Sequence, residues 1–356
     1  MMRDVLVSVL MTVYNGAPFV GEAVRSILEQ RFQEFEFLII DNASTDSSWE
    51  IIASFKDPRI RVVKNAENLG PPRALNQGLQ LVQGKYVARM DADDVALPDR
   101  LARQVRFLED DPECVALGTQ IRMIHHAGRS LYAPLLPTAR HDMLSKLMLS
   151  SPLSHSSVML RRDVVLGVGG YDEKLRHAAD YQLWSSLVSR GHQIANLDEQ
   201  HMLIRVHSMA DGLPANRKEL IEEVSLVSHR NIQEFLGLAV TREEVTKMIR
   251  LLDWYDRCPR EDVPGAIRLL DSITKACENK AAPFYGRTLL RLAISAREIH
   301  LLGRLSLFLK GVWLIVSEKD GQFGYRFLRE WILTGRFIGA VLYGLRRLPR
   351  VRGGAA

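Results

Sequence analysis

The sequence predicts an α/β protein with a mostly parallel sheet flanked by helices, because strand-like and helix-like segments alternate through its first third. Runs of aliphatic and β-branched residues, typical of buried strands, lie at residues 5–11, 35–40, 60–63 and 86–90. Helical periodicity follows each run, at residues 20–30, 47–55, 72–81 and 98–108. Ligands of such sheets bind beyond the carboxyl ends of the strands, so we expect the functional residues directly after each strand.

Beyond about residue 211 the sequence shows helical patterns alone, at residues 218–235, 242–256, 265–278 and 285–302. We place a soft boundary at residues 212–215. A catalytic domain at residues 1–212 and a helical C-terminal region at residues 213–356 are therefore expected. The length of 356 residues exceeds the usual size of one domain, which agrees with a smaller second unit.

Composition excludes several classes of protein. A hydrophobic fraction of 47% and a charged fraction of 25% are ordinary for a folded chain. The three cysteines, Cys114, Cys258 and Cys277, lack CxxC spacing, which argues against a disulfide framework and a zinc-thiolate site. The first residues run straight into a strand without the pattern of a signal peptide. We therefore expect a protein of the reducing cytoplasm.

The net charge of +5 is a terminal feature, since five arginines and no acidic residue follow Trp331. The first 330 residues carry 42 basic and 42 acidic side chains, which argues against nucleic-acid binding. Residues 327–347 are amphipathic, with Phe327 and Trp331 opposite Arg329 and Arg336. The same pattern has two interpretations: a peripheral helix on the anionic inner face of a membrane, or a helix packed on the domain. No apolar run approaches the roughly 18 to 20 residues of a membrane span.

The strongest single feature is a cluster of carboxylates, Asp91, Asp93 and Asp94, directly after the fourth strand. Clustered carboxylates repel one another unless a cation or solvent neutralises them. Mg²⁺ and Mn²⁺ prefer carboxylate oxygen and typically bridge it to substrate phosphates. The cluster predicts a metal site, with a solvated acidic turn that caps the next helix as the alternative. Asp93 is the main candidate ligand, and Asp94 is its closest competitor.

Two further loops carry candidate ligand contacts. Asp41 closes the second strand, where it is either a turn-forming residue or an acceptor for a uracil imide N–H or a ribose hydroxyl. Ser47 with Glu50 three residues later predicts a capping box at the start of the next helix. Gly70 precedes the third helix, which carries Arg73 in its first turn. A helix N-terminus with an arginine suits a diphosphate, although a simple αL turn at Gly70 is nearly as good an explanation.

Together these residues resemble the family 2 glycosyltransferases of the GT-A fold. The resemblance rests on eight segments in the same order, which are residues 7–15 (VSVLMTVYN), 40–46 (IDNASTD), 68–78 (NLGPPRALNQG), 90–94 (MDADD), 155–159 (HSSVM), 169–172 (GGYD), 180–184 (DYQLW) and 205–207 (RVH). Each segment is weak alone, but the ordered set over residues 5–207 is highly specific. The remainder of the chain is not covered by it.

The resemblance implies an inverting, metal-dependent transfer of one sugar from a nucleoside-diphosphate sugar, with UDP favoured, to a glycan or lipid-linked hydroxyl. Asp180 would be the catalytic base. The residues implied to bind the nucleotide sugar are Thr12, Tyr14, Asp41, Arg73 and Asp91. Those implied to line the acceptor side are His155, Gly170 and Tyr171. Those implied to hold Mn²⁺ or Mg²⁺ are Asp93, Asp91 and His207.

Two positions depart from many relatives: Leu75 stands where an arginine is common, and Ala179 where a glutamate is common. The Gln-x-x-Arg-Trp signature of processive synthases is absent from the sequence, which favours non-processive transfer. Two alternative functions remain. A nucleotidyltransferase would use a similar sheet, but it would normally carry a phosphate loop rich in glycine and in lysine or arginine after its first strand, which residues 12–16 (TVYNG) do not match. A non-catalytic nucleotide-sugar-binding protein is the second, and the retained carboxylates argue against it.

Overall fold

The computed structural model describes residues 5–206, 217–252 and 259–279, and its first third has the predicted alternation of strands and helices. The four predicted strands are β1 (Val7–Val13), β2 (Phe35–Asp41), β3 (Ile60–Lys64) and β4 (Tyr86–Asp91). The four predicted helices are α1 (Val20–Leu28), α2 (Ser48–Ser54), α3 (Pro71–Leu81) and α4 (Arg100–Asp110). The prediction of an α/β fold is confirmed.

Five further strands complete a nine-stranded sheet within the described residues. They are β5 (Val95–Ala96), β6 (Cys114–His125), β7 (Ser130–Tyr132), β8 (Met159–Arg161) and β9 (Gln193–Val206). The strand order is β3-β2-β1-β4-β8-β6-β9-β5, and β7 pairs with β6. Because β1 lies between β2 and β4 and runs parallel to both, the chain changes sides of the sheet after β3. Such a change opens a crevice beyond the carboxyl ends of the strands.

The remaining helices lie in the second half of the chain. They are α5 (Arg140–Leu147), α6 (Arg162–Gly167), α7 (Ala179–Ser189), α8 (Arg217–Asn231), α9 (Arg242–Leu252) and α10 (Val263–Asn279). A π-helical turn, Ile232–Leu236, continues α8. The last three helices confirm three of the predicted C-terminal helices. The predicted helix at residues 285–302, the amphipathic segment at residues 327–347 and the boundary at residues 212–215 lie outside the described residues.

Two apolar clusters cover the two faces of the sheet, as alternation along a strand requires. In β1, Val9 and Met11 belong to the cluster under α1 and α4, whereas Leu10 belongs to the cluster under α3. This second cluster also contains Trp184 of α7 and Ile221 of α8. The helices after residue 216 therefore extend one of the two cores.

Within the described ranges, none of the helices combines the length and the apolar character that crossing a membrane requires.

Candidate active site

The carboxyl ends of three neighbouring strands bring the predicted nucleotide-binding residues to one edge of the sheet. Val13 of β1 pairs with Asp41 of β2, and Thr12 of β1 pairs with Asp91 of β4. Thr12 is half-buried, and Tyr14 in the loop after β1 is 51% exposed. The expectation that residues just after the strands meet at one edge is thus met for Thr12, Asp41 and Asp91.

The loops that follow β1 and β2 are joined by hydrogen bonds. The Asn15 side chain accepts from the Thr45 amide at 2.9 Å, and the Gly16 amide donates to Ser48 Oγ at 2.8 Å. Asn15 and Ala43 both have left-handed backbones, with φ of 53° and 63°. Left-handed alanine is uncommon, and such strain is concentrated at functional sites. Each loop therefore holds the other in shape.

The predicted capping box in this region is wrong. Ser47 is the N-cap of α2, but its side chain makes no capping hydrogen bond. Asp46 takes over instead, because its Oδ1 accepts from the Ser48 amide at 3.0 Å and its Oδ2 from the Ala17 amide at 3.1 Å. Asp46 thus supplies the acceptor at the start of α2 and also joins this loop to the loop after β1, which the spacing of Ser47 and Glu50 does not reveal.

Asp41 is fully buried at the end of β2. Its Oδ1 accepts a hydrogen bond from the Ser44 amide at 3.0 Å, as a turn-forming aspartate does. Its Oδ2 is also buried, and it has no hydrogen-bond partner among the described residues. An unsatisfied buried acceptor costs about 1–3 kcal/mol, so this oxygen is suited to an N–H or O–H of a ligand.

The N-terminus of α3 offers fewer amide donors than was expected for a diphosphate site. Pro71 and Pro72 have no N–H, and the Gly70 amide donates to the Asn68 side chain at 2.9 Å. Gly70 itself has φ of 80° and ψ of 160°, so its backbone is not the αL turn that was the alternative explanation, although a positive φ still favours glycine. Arg73 is exposed and lines a cavity of about 540 Å³ together with the Gly169–Gly170 turn. Arg73 is the remaining phosphate candidate of this helix.

The three predicted metal-binding carboxylates are close together, since one oxygen of each lies within 4.8 Å of the others. Asp91 and Asp93 are partly exposed, whereas Asp94 is buried. Asp94 Oδ1 accepts from the Arg205 amide at 2.8 Å. Burial, reinforced by the charges of Asp91 and Asp93, raises the pKa of Asp94 well above its ordinary value. Asp94 is therefore held by the protein, whereas Asp91 and Asp93 keep part of their surface exposed to solvent.

Arg89 is a site residue that sequence reasoning missed. It is buried in the middle of β4, and its guanidinium donates to both oxygens of Asp91, with Nη1 at 2.5 Å from Oδ2. Its charge also acts on His155, Tyr171 and Asp180. An arginine inside an apolar strand, two residues before a carboxylate cluster, was the available signal, because buried arginines require a partner.

Arg205 anchors the backbone of the acidic loop. Its side chain is 2% exposed, its Nε donates to the Asp93 carbonyl at 2.8 Å, and its Nη2 pairs with Glu22 of α1 at 2.6 Å. The guanidinium also lies over the Phe19 ring at 4.6 Å. The sequence presented Arg205 only as part of a motif. His207, the predicted additional metal ligand two residues later, lies outside the described residues.

The predicted acceptor-side residues form one group. His155 Nε2 lies 2.9 Å from the Tyr171 hydroxyl, and its ring packs edge-on against Trp184. Burial and the charge of Arg89 hold the pKa of His155 well below its ordinary value, so the imidazole is neutral at pH 7. Gly170 has φ of 71°, and a Cβ there would come within 2.6 Å of the Asn76 side chain. Glycine is thus required where the turn meets α3.

Asp180 lies in the first turn of α7, as predicted, two residues after the N-cap Ala178. Ser151 Oγ lies 3.4 Å from Asp180 Oδ2, and Trp184 Nε1 donates to the same Ser151 oxygen at 3.1 Å. Desolvation raises the pKa of Asp180, against the opposing effects of the Tyr181 amide and the Arg89 charge. A carboxylate with a raised pKa is a stronger base than an ordinary aspartate once it is ionised.

The fold and the acidic edge of this sheet define a glycosyltransferase of the GT-A class. Residues 8–166 match the family model "Glycosyl transferase family 2". The amylovoran biosynthesis glycosyltransferase AmsE of Erwinia amylovora is 30% identical over 205 residues, which is 56% of this chain and 76% of AmsE. An Escherichia coli enzyme, UDP-Glc:alpha-D-GlcNAc-diphosphoundecaprenol beta-1,3-glucosyltransferase WfaP, is 28% identical over 235 residues, which is 64% of this chain and 88% of WfaP.

Solved structures agree on the fold. S. aureus TarS 1-349 in complex with UDP-GlcNAc has a TM-score of 0.53 at 18% identity, over 82% of this chain and 87% of that one. Mannosyltransferase PcManGT from Pyrobaculum calidifontis, in complex with GDP-Man and Mn²⁺, has a TM-score of 0.50 at 17% identity, over 95% and 86%. The chain belongs to glycosyl transferase family 2 and is a glycosyltransferase. The alternatives of a nucleotidyltransferase and of a non-catalytic binding protein are thereby set aside.

Proposed function

We propose that the protein is an inverting, non-processive glycosyltransferase that moves one sugar from a nucleoside-diphosphate sugar to an acceptor hydroxyl in cell-surface polysaccharide or glycolipid synthesis. One observation carries this proposal. Asp41, with its unsatisfied acceptor, and Asp91 of the carboxylate cluster lie at the ends of the two strands on either side of β1. The buried guanidinium of Arg89 acts electrostatically on both Asp91 and Asp180. We assign nucleoside recognition to Asp41, phosphate binding to the carboxylate cluster through a metal ion, and proton transfer to Asp180.

The nucleoside is assigned to the ends of β1 and β2. Asp41 Oδ2 is an acceptor that suits the imide N–H of uracil or a ribose hydroxyl. Thr12 lies on the adjacent strand, and the exposed ring of Tyr14 provides a surface against which a base stacks. A UDP-sugar is favoured, and support comes from the relative WfaP, whose name specifies UDP-Glc.

The carboxylate cluster fits a divalent cation. Burial raises the pKa of Asp94, the like charges of Asp91 and Asp93 raise it further, and a Mn²⁺ or Mg²⁺ ion would relieve the repulsion among the three carboxylates. Asp93 and Asp91 are the residues that would hold the ion, and His207 remains a predicted further ligand. When bound, the ion neutralises the charge that grows on the leaving diphosphate oxygen. Arg205 keeps the Asp93 main chain in place for this role.

Asp180 is assigned as the general base. Its carboxylate takes the proton of the acceptor hydroxyl while the hydroxyl oxygen forms a bond to the anomeric carbon from the face opposite the diphosphate. The bond between that carbon and the diphosphate oxygen breaks at the same time, which inverts the anomeric configuration. Tyr171, His155 and Gly170 are assigned to the acceptor side because they adjoin Asp180 and α3.

A donor screen tests the proposal. The full chain is incubated with UDP-, GDP- and dTDP-sugars in the presence of Mn²⁺, Mg²⁺ or EDTA, and release of nucleoside diphosphate is measured with water or glycan acceptors. We expect release from one nucleotide class, dependent on a divalent ion. For aspartate-to-asparagine substitutions at the site, the matched control is Asp110→Asn, because Asp110 is exposed and lies outside the site. Release that is unchanged in EDTA would contradict the metal dependence, and no release from any donor would contradict the donor class.

A further inference from the structure

The N-terminal turn of α7 is held by a side chain from the C-terminal helices. Glu223 of α8 accepts three main-chain hydrogen bonds, from Arg176 at 2.9 Å, His177 at 2.7 Å and Ala178 at 2.9 Å. All three amides immediately precede α7, whose second residue is Asp180. We propose that Glu223 is a positioning residue that fixes this turn and thereby the carboxylate of Asp180. The proposal rests on the assignment of Asp180 as the general base.

The N-cap residue of α7 has no side chain that could hold the start of the helix. The first amides of a helix have no partner within the helix, and a side chain at the N-cap normally accepts from them. Here the N-cap is Ala178, which has no acceptor, and Ala179 follows it. Asp180 itself is hydrogen-bonded to the Tyr181 amide, inside the helix. Glu223, which lies 45 residues after Ala178, accepts instead from the three amides at and before the N-cap, and it so fixes the path by which the chain enters the helix.

The helix that carries Glu223 is itself fixed against α7. Near its other end Asn231 is buried, and its Nδ2 donates to the Leu147 carbonyl at 2.7 Å and to Ser185 Oγ at 2.9 Å. Ile221 and Val227 of α8 belong to the same apolar core as Trp184. The segments of α8 before and after Glu223 are thus both packed on the catalytic domain. Because α8 is fixed in this way, the carboxylate of Glu223 restricts the direction in which α7 starts.

Three charge-assisted hydrogen bonds on one carboxylate are stronger and shorter than neutral ones. If they are lost, the turn loses its anchor while the rest of α7 stays buried in the core. Catalysis depends on position, and a displacement of about 1 Å can cost on the order of 10²-fold in rate. The nucleoside and metal residues lie on β1, β2 and β4, whose hydrogen bonds do not involve α8 in the described part of the chain. The predicted defect is therefore in turnover and not in donor binding.

The test uses the full chain and the donor selected in the screen, with water as the acceptor. We expect Glu223→Ala to lower kcat by about 10- to 10²-fold. Donor KM and calorimetric affinity for the nucleoside diphosphate should stay at wild-type values. Glu223→Gln keeps an acceptor oxygen for His177 and Ala178, so it should recover part of the rate. Glu222 is the exposed neighbour of Glu223 on the same helix, and Glu222→Ala is the matched control with wild-type kcat.

A double-mutant cycle separates positioning from general stabilisation. If Glu223 acts through Asp180, Glu223→Ala should cause no further loss in an Asp180→Asn background. A full additional loss there, or wild-type kcat in Glu223→Ala, would overturn the inference. If Glu223→Ala melts below the assay temperature, Glu223→Gln replaces it in the same cycle and the same outcomes decide. Wild-type turnover by Asp180→Asn would instead refute the proposed base, so the two failures are distinguishable.

Discussion

The two ends of the proposed site are held in place by different kinds of contact. At the donor end, Thr12, Asp41 and Asp91 stand on three adjacent parallel strands, and the loops after β1 and β2 bond to each other. At the base end, Asp180 stands on a helix whose start is held by Glu223 of α8. The matched family region ends at residue 166, before either of these two residues. In the proposed function, donor binding thus depends on the pairing of the strands, and proton transfer depends on the packing of α8 against α7.

The largest expected effect comes from removing the main metal candidate at the donor end. Asp93→Asn should lower the affinity for Mn²⁺ and for nucleoside diphosphate, and reduce turnover by on the order of 10³-fold, because charge on the leaving group is no longer neutralised. Isothermal titration calorimetry and donor hydrolysis measure the two effects. Wild-type affinity in Asp93→Asn would show that the ion is held elsewhere, with Asp94 as the next candidate.

At the base end, Asp180→Asn should lower turnover by at least about 10²-fold while leaving donor affinity unchanged. Asparagine keeps the shape of the side chain and an oxygen for the Tyr181 amide, so the protein should fold normally. Thermal melting and calorimetry provide those controls. Near-normal sugar transfer by this variant would make Asp172 the next candidate for the general base. It would also refute the proposed difference between a donor end held by strands and a base end held by helix packing.

The pH dependence of turnover sharpens the same contrast. Desolvation raises the pKa of Asp180, and only the ionised form accepts a proton, so activity should fall as the pH drops through that raised value. The acid limb should lie above the pKa of about 3.9 of an ordinary aspartate, and the rate should decline about tenfold per pH unit below it. Burial and the charge of Arg89 lower the pKa of His155 toward the same acidic range, so His155→Gln is the control, and it should leave the acid limb unchanged if Asp180 is the titrating group. If the pH at which activity falls is different in His155→Gln, the titrating group is the histidine and not Asp180.

A smaller effect is expected for the nucleoside contact. Asp41→Asn keeps Oδ1 for the Ser44 amide but replaces the unsatisfied Oδ2 with an N–H₂ group, which cannot accept from a ligand. We expect the nucleoside diphosphate Kd to rise about tenfold, as loss of one hydrogen bond to a charged group predicts. The value of kcat at saturating donor should stay close to wild type. Equal Kd values for the two proteins would refute the contact.

The smallest effect on catalysis is expected at the C-terminus. A chain that ends at Glu330 should hydrolyse donor at the wild-type rate but float less with liposomes that contain anionic lipid, because the terminal arginines are removed. Flotation with and without anionic lipid measures the difference. Equal flotation of the two chains would refute the membrane interpretation of residues 327–347 and favour a helix packed on the domain.

The sequence predicted those parts of the molecule whose partners are near in the chain or repeat with a regular period. The strands and helices of the first third followed from periodicity, and Asp93 and Asp180 were singled out from motifs. Ser47 was misassigned because Asp46, the residue before it, accepts from the Ser48 amide at the start of α2. Glu223 was missed because its three partners lie more than forty residues earlier. Helical periodicity gives no sign of such contacts.

The packing of α8 against α7 has a consequence for engineered recombination between family members. A crossover point between these helices would join a Glu223 from one parent to amides from another, and would divide the apolar core shared by Trp184 and Ile221. Chimeras intended to change acceptor preference should therefore inherit residues 176–231 from a single parent. A crossover after Asn231 keeps residues 176–231 together, whereas a crossover between Ala178 and Arg217 separates Glu223 from the amides that it binds.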